Sequence, residues 1–113
     1  MAHDINATLK NISMSAQKVR LVVDVVRGKK ATDALNILRF LPNGAAHQVS
    51  KVIASAVANA EENFGVSRDD LFVYRISADE APTRKWRKFG ARGRFKPILR
   101  RSSHISVILR EKE

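Results

Sequence analysis

The sequence predicts an α+β domain: a small three-stranded antiparallel sheet packed with three helices, plus a long protruding β-hairpin arm. Three observations lead there. Three segments alternate apolar and polar residues with period two, and three others gather apolar residues on one helical face. The stretch 79–103 has no helical stripe and little core-forming material, and it exceeds the length of an ordinary loop, since structureless connections beyond about 12–15 residues are uncommon in compact domains. A chain of 113 residues suits one domain, and a hydrophobic fraction of 44% supports a modest core.

The first strand is read from Ile5, Ala7 and Leu9 alternating with Asn6, Thr8 and Lys10. Ser13 and Ser15 offer N-cap hydroxyls to a first helix. That helix carries Val19, Val22, Val23 and Val26 at i, i+3, i+4 and i+7, so its periodicity outweighs the strand propensity of valine. Gly28 is placed to end it in a left-handed turn. Thr32 is expected to cap a second helix with Asp33 at its positive end, and Ala34, Ile37, Leu38 and Leu41 form its stripe. Pro42 stops it. After an Asn43-Gly44 turn, a third helix runs from about Ala45 to Asn63 with the stripe Val49, Val52, Ile53, Ala56 and Ala60, and Gly65 is its expected C-cap glycine. In the second strand Phe72, Tyr74, Ile76 and Ala78 form one face and Val73, Arg75 and Ser77 the other. In the third, Ile105, Val107 and Leu109 alternate with Ser106 and Arg110.

The expected organisation is a single domain over 1–113, with a globular body formed by 1–78 and 104–113 and an extended basic arm over 79–103. An arm continuing both flanking strands, with Gly90 and Gly93 near its turn, would reach roughly 40 Å at about 3.3 Å per residue. A compact domain of this size has a radius of gyration of only about 13 Å.

The formal charge is +10, from 21 Lys and Arg against 11 Asp and Glu. Nine of those bases are Arg84, Lys85, Arg87, Lys88, Arg92, Arg94, Lys96, Arg100 and Arg101, in a stretch without one acid. Elsewhere 12 bases nearly balance the 11 acids. A near-neutral body with a concentrated cationic arm implies a polyanionic partner. Trp86, Phe89 and Phe95 interleave the arm's bases and offer planes for stacking on unpaired nucleobases. A second basic group, Lys10, Lys18, Arg20, Arg27, Lys29 and Lys30, surrounds the first helix, where an ordinary solvated surface is an equal reading.

Nothing in the sequence supports an enzyme. His3, His47 and His104 are scattered, with no metal-ligand spacing, and His104 is expected to hydrogen-bond locally. Asp79-Glu80 are neighbours in a strand and so face opposite ways; ion pairs at the root of the arm suit them better than catalysis. There is no phosphate-binding loop or nucleophile motif, and no cofactor or metal is expected. Cysteine is absent, which excludes disulfides and thiolate metal sites and fits a reducing compartment. The N-terminal stretch has no continuous apolar run, and the longest apolar-rich segment, Val19 to Val26, is interrupted by Arg20 and Asp24. Both features point to a soluble intracellular protein with no membrane partner.

Several separated motifs resemble one family. Ser15-Ala16-Gln17-Lys18-Val19-Arg20-Leu21-Val22 through Val26-Arg27-Gly28-Lys29 looks like the first helix of the bacterial large-subunit ribosomal protein family number twenty-two. Ser55-Ala56-Val57-Ala58-Asn59-Ala60 resembles the end of that family's long helix, and Asp79-Glu80-Ala81-Pro82 its entry to a long hairpin. Ala91-Arg92-Gly93-Arg94 and Arg101-Ser102-Ser103-His104-Ile105-Ser106-Val107 resemble the hairpin turn and the return strand. Departures lie in the arm: Ala81 replaces a glycine, Phe89-Gly90 stand where the family reads Pro-Arg, and Phe95 replaces an alanine.

The resemblance implies a structural constituent of the large ribosomal subunit that acts in the cytoplasmic ribosome and supports early subunit assembly. Its partners would be the large-subunit (23S) ribosomal RNA, neighbouring large-subunit proteins, and the nascent peptide near the arm tip, with one copy per particle. The arm and first-helix bases, Trp86, Ser103 and His104 would contact RNA. The tip, Arg84, Lys85, Trp86, Arg87, Lys88, Phe89, Gly90, Ala91, Arg92, Gly93 and Arg94, would line the tunnel through which the peptide leaves. The competing reading is a DNA-bending architectural protein with a β-ribbon arm. There Pro82 and Pro97 would lie toward the root, away from the tip where such arms insert an apolar wedge. A small basic nuclease is a third reading.

Overall fold

The computed structural model describes residues 4–42, 44–81, 84–89, 95–100 and 102–111, with 84–89 and 95–100 described as backbone. Its elements are β1 (Asp4–Ile12), α1 (Ala16–Val26), α2 (Ala31–Phe40), α3 (Gly44–Phe64), a 3-10 turn at Arg68–Asp70, β2 (Leu71–Glu80), β3 (Arg84–Phe89), β4 (Phe95–Arg100) and β5 (Ser103–Glu111). The expected α+β class and the order of elements hold. So does the three-stranded antiparallel sheet, in the order β1-β5-β2, with the last strand in the middle. A separate two-stranded sheet pairs β3 with β4.

The helices cover one face of the sheet. Val19, Val22, Val23 and Val26 of α1 share one buried core with Val49, Val52, Ile53, Ala56, Val57 and Ala60 of α3 and with Ile5, Ile105, Val107 and Leu109 of the sheet. Alanines at Ala46, Ala56 and Ala60 let neighbouring elements approach α3 closely. Gly28 and Gly65 both have positive φ, +79° and +65°, a conformation costly to residues with a Cβ. At Gly65 the chain turns so that Val66 N–H donates back to Ala60 C=O at 3.1 Å, closing the end of α3.

Three expectations are corrected. Thr32 is not a cap: α2 begins at Ala31, with Lys30 in the cap position, so Thr32 sits inside the first turn. Ser15 does occupy the α1 N-cap, yet its hydroxyl makes no capping bond. The inward face of β2 is Leu71, Val73, Ile76 and Ala78, not Phe72, Tyr74, Ile76 and Ala78. The cause is a bulge. Val73 pairs with Leu109 and Arg75 with Ile108, so Tyr74 is the extra residue and the alternation reverses across it. The Asn43 half of the expected turn lies outside the described residues, while Gly44 already belongs to α3.

The molecule measures 64 × 26 × 18 Å, with a radius of gyration of 17.2 Å. A compact chain of this length would be nearer about 13 Å, so the mass is drawn out along one axis, as an extended hairpin requires. The β2–β5 ladder runs through Asp79↔His104 and Glu80↔Ser103, and Ala81 N–H then donates to Ser102 C=O at 3.0 Å. Beyond it the β3–β4 ladder runs from Arg84↔Arg100 to Phe89↔Phe95. The expected turn residues Gly90, Ala91, Arg92, Gly93 and Arg94, and also Arg101 and Pro82, lie outside the described residues.

Candidate nucleic-acid interface

The two basic groups of the sequence meet different surroundings. β2 is an edge strand, and an unpaired edge presents backbone groups that invite pairing with another chain. The α1 segment covers that edge. Arg20 Nε donates to Ala78 C=O at 3.0 Å, and Arg27 Nη2 to Ile76 C=O at 3.1 Å. Gly28 N–H donates to Val73 C=O at 3.1 Å, Val73 N–H returns a bond to Lys29 C=O at 2.8 Å, and Lys30 bridges to Phe72. Arg27 also pairs with Asp24 at 2.7 Å. Arg20 and Arg27 were expected to contact RNA. Here they cap the sheet edge, with their remaining guanidinium N–H groups on an exposed surface.

Lys10, Lys18, Lys29 and Lys30 are exposed and make no ion pair among the described residues. Arg20 reaches Ala78 and Arg27 reaches Ile76, so these two cations line β2 toward the root of the arm.

In the ribbon the backbone register places Arg84 opposite Arg100, Lys85 opposite Leu99, Trp86 opposite Ile98, Arg87 opposite Pro97 and Lys88 opposite Lys96. Two of these pairs set cation against cation, which destabilises an isolated antiparallel ladder. An external polyanion removes that repulsion. Pro97, which cannot donate to a ladder, is tolerated because a two-stranded ribbon has two free edges.

The root behaves differently from what its composition suggests. Ser103 was expected to contact RNA, but it is 0% exposed and its hydroxyl faces the interior, because β5 alternates and Ser103 shares the inward face of Ile105 and Val107. His104 points the other way and is half-buried; its Nδ1 accepts a hydrogen bond from Asn11 N–H at 3.0 Å. Asp79 and Glu80 are exposed, and the side chains of the basic neighbours they were expected to pair with, Arg84, Arg100 and Arg101, lie outside those described. Sequence reasoning passed over Asn11. The available signal was the break in alternation between Leu9 and Ile12, at a residue type that tolerates positive φ.

On the open face, Arg110 lies 3.5 Å from the Tyr74 ring centroid and donates to both oxygens of Asp4 at 2.7 and 3.2 Å. The hydrogen bond from Arg110 holds the Asp4 carboxyl below its ordinary value, with Coulombic attraction to Arg110 and Arg75 in the same direction. This cluster staples the three strands. Among the described residues there is no group of three potential metal ligands, and no helix is long and apolar enough to cross a membrane.

A helix-backed sheet that carries a β-ribbon rich in bases belongs to the class of folds with a concentrated cationic extension. The family described as Ribosomal protein L22p/L17e matches residues 7–110. The chain is 51% identical over 106 residues to the large ribosomal subunit protein uL22 of Dehalococcoides mccartyi, covering 94% of this chain and 97% of that one. It is 51% identical over 107 residues to its counterpart in Herpetosiphon aurantiacus, with 95% of each covered. With that of Pediococcus pentosaceus it shares 46% identity over 107 residues, 95% of this chain and 91% of the relative. The chain belongs to the Ribosomal protein L22p/L17e family.

Proposed function

We propose that this protein is a structural constituent of the large ribosomal subunit, held in the cytoplasmic ribosome by 23S ribosomal RNA. The body sits on the outer face beside neighbouring large-subunit proteins, and the arm threads inward through RNA. One copy serves each particle, and binding begins early in subunit assembly. The tip, Arg84 to Arg94, lines the passage taken by the nascent peptide. In this reading the body is 1–78 with 104–113, and the arm is 79–103.

The observation that carries the reading is the ribbon register. Arg84↔Arg100 and Lys88↔Lys96 are cross-strand cation pairs within a stretch that holds nine bases and no acid. A ribbon so composed is stabilised by phosphate on its flanks. A thin two-stranded arm also enters gaps that exclude the body.

A photoreactive residue placed at position 86 or 90 in translating ribosomes tests the placement. Crosslinks to nascent chain or to RNA deep in the subunit are expected. Crosslinks confined to surface RNA or solvent-side proteins would overturn the tunnel placement. Failure of the protein to sediment with large subunits, together with dimeric binding to duplex DNA, would instead favour an architectural DNA-binding role.

A further inference from the structure

The pairing of β1 with β5 breaks at one point. Leu9 is registered with Ile105 and Ile12 with Ser103, so β1 takes three steps where β5 takes two. Asn11 lies in this irregularity with φ +59°, the one non-glycine residue of positive φ among those described. Asparagine is among the few residues that enter this region readily. Outside the regular ladder, Asn11 N–H is received by the ring of His104 at Nδ1, 3.0 Å away.

That contact decides a chemical question. A backbone amide can only donate, so Nδ1 must present its lone pair. In the neutral ring the proton then resides on Nε2. Nε2 has no partner among the described residues, and the ring is half-buried rather than enclosed. Asp79, the cross-strand neighbour of His104 on β2, makes no hydrogen bond there. The ring therefore carries a committed donor at the root of the cationic arm, with exposed Lys10 beside Asn11 in sequence.

We infer that the Asn11 irregularity holds His104 in the Nε2–H tautomer, and that this fixed donor is directed to a phosphate or ribose oxygen of the bound RNA. Asn11 is thus a positioning residue whose backbone N–H is taken up by the ring, and His104 is the contacting group. This rests on the RNA-binding reading. A neutral donor supplies direction where the arm's cations supply attraction: it ranks RNA orientations at the root without releasing counterions.

The test begins with uniformly 15N-labelled protein at mildly alkaline pH. Long-range proton–nitrogen correlation spectra of the His104 ring should show the Nε2–H pattern. Asn11→Gly retains both the N–H and easy access to positive φ, so it should keep this tautomer. Asn11→Val disfavours positive φ and should yield a tautomer mixture. Binding to deproteinised large-subunit ribosomal RNA should weaken about tenfold in His104→Phe and in Asn11→Val, stay near wild type in Asn11→Gly, and keep the wild-type salt slope in all three. A predominant Nδ1–H pattern in the wild-type protein would overturn the inference, even if Asn11→Val fails to fold. Undiminished RNA affinity of His104→Phe, with the wild-type protein binding normally, would overturn the donor role while leaving the proposed function intact. Absence of RNA binding by the wild-type protein would overturn both.

Discussion

The cations of the α1 segment and those of the β3–β4 ribbon differ in what their own chain offers them. Around α1, Arg20 and Arg27 find carbonyl oxygens on the edge of β2, and Arg27 also finds Asp24. In the ribbon, Arg84 and Lys88 are registered against Arg100 and Lys96. The first group is partly satisfied within the fold, whereas the second sets cation against cation along its ladder. Basic residues that look alike in sequence thus divide into those that close a sheet edge and those registered against other cations. Counting charge cannot make that division; backbone geometry can.

The comparison is broken most directly by removing the arm's charge. Neutralising Arg84, Lys85, Arg87, Lys88, Arg92 and Arg94 together should cost orders of magnitude in RNA affinity at low salt. If half of the arm's bases touch phosphate, the log–log salt slope should become shallower by about three to four, at about 0.7–0.9 per phosphate. An unchanged slope would place binding on the body. Replacing residues 84–99 by a short glycine-containing turn should meanwhile leave one cooperative unfolding transition, because the apolar core lies in the α helices and the three-stranded sheet. Loss of that transition would show that body and arm are not energetically separable.

The converse experiment strikes the body. Ile53→Ala empties a fully buried position on α3 and should lower unfolding free energy by about 2–5 kcal/mol, measured by denaturant titration. The salt slope of the folded fraction should not change.

A smaller effect tests the capping role of α1. Arg27→Leu removes the donor to Ile76 C=O and should cost roughly 1 kcal/mol of stability, because the site is partly exposed and water replaces part of the bond. If Arg27 served RNA alone, stability would be unchanged and only affinity would fall.

The smallest effect is a pH dependence on the open face. The folded-state value of Asp4 is held below its ordinary 3.8, first by the hydrogen bond from Arg110. A depressed carboxylate stabilises the fold above its unfolded value and loses that contribution as pH falls through the folded value. Asp4→Asn should therefore lower stability slightly at about pH 7, and the difference should fade as pH falls through the folded value of Asp4, below which both states are protonated. A decrement that stays constant as the pH is lowered would show that Asp4 acts by packing rather than by charge.

Much of this was legible in the chain itself. The valines of α1, the small-residue stripe of α3 and the alternation of β5 report local period, and period survives any tertiary context. The concentration of bases over 84–101 is likewise a property of composition, and with it came the expectation of a polyanionic partner. Neighbouring strands decided the rest. The bulge at Tyr74 reverses which side of β2 is inward, and no residue within β2 announces it, because a bulge exists only relative to the strand it pairs with. Ser103 looked available beside the arm until the alternation of β5 turned it inward. That Arg20 and Arg27 also close the edge of β2 became visible only when α1 was laid along a strand whose carbonyls lacked partners. Asn11 acquires a role only because His104, 93 positions away, arrives beside it. The sequence by itself determined the elements and the charge they carry. The tertiary structure decided which polar groups were already satisfied, because a hydrogen bond depends on what lies about 3 Å away in space and not on what lies nearby along the chain.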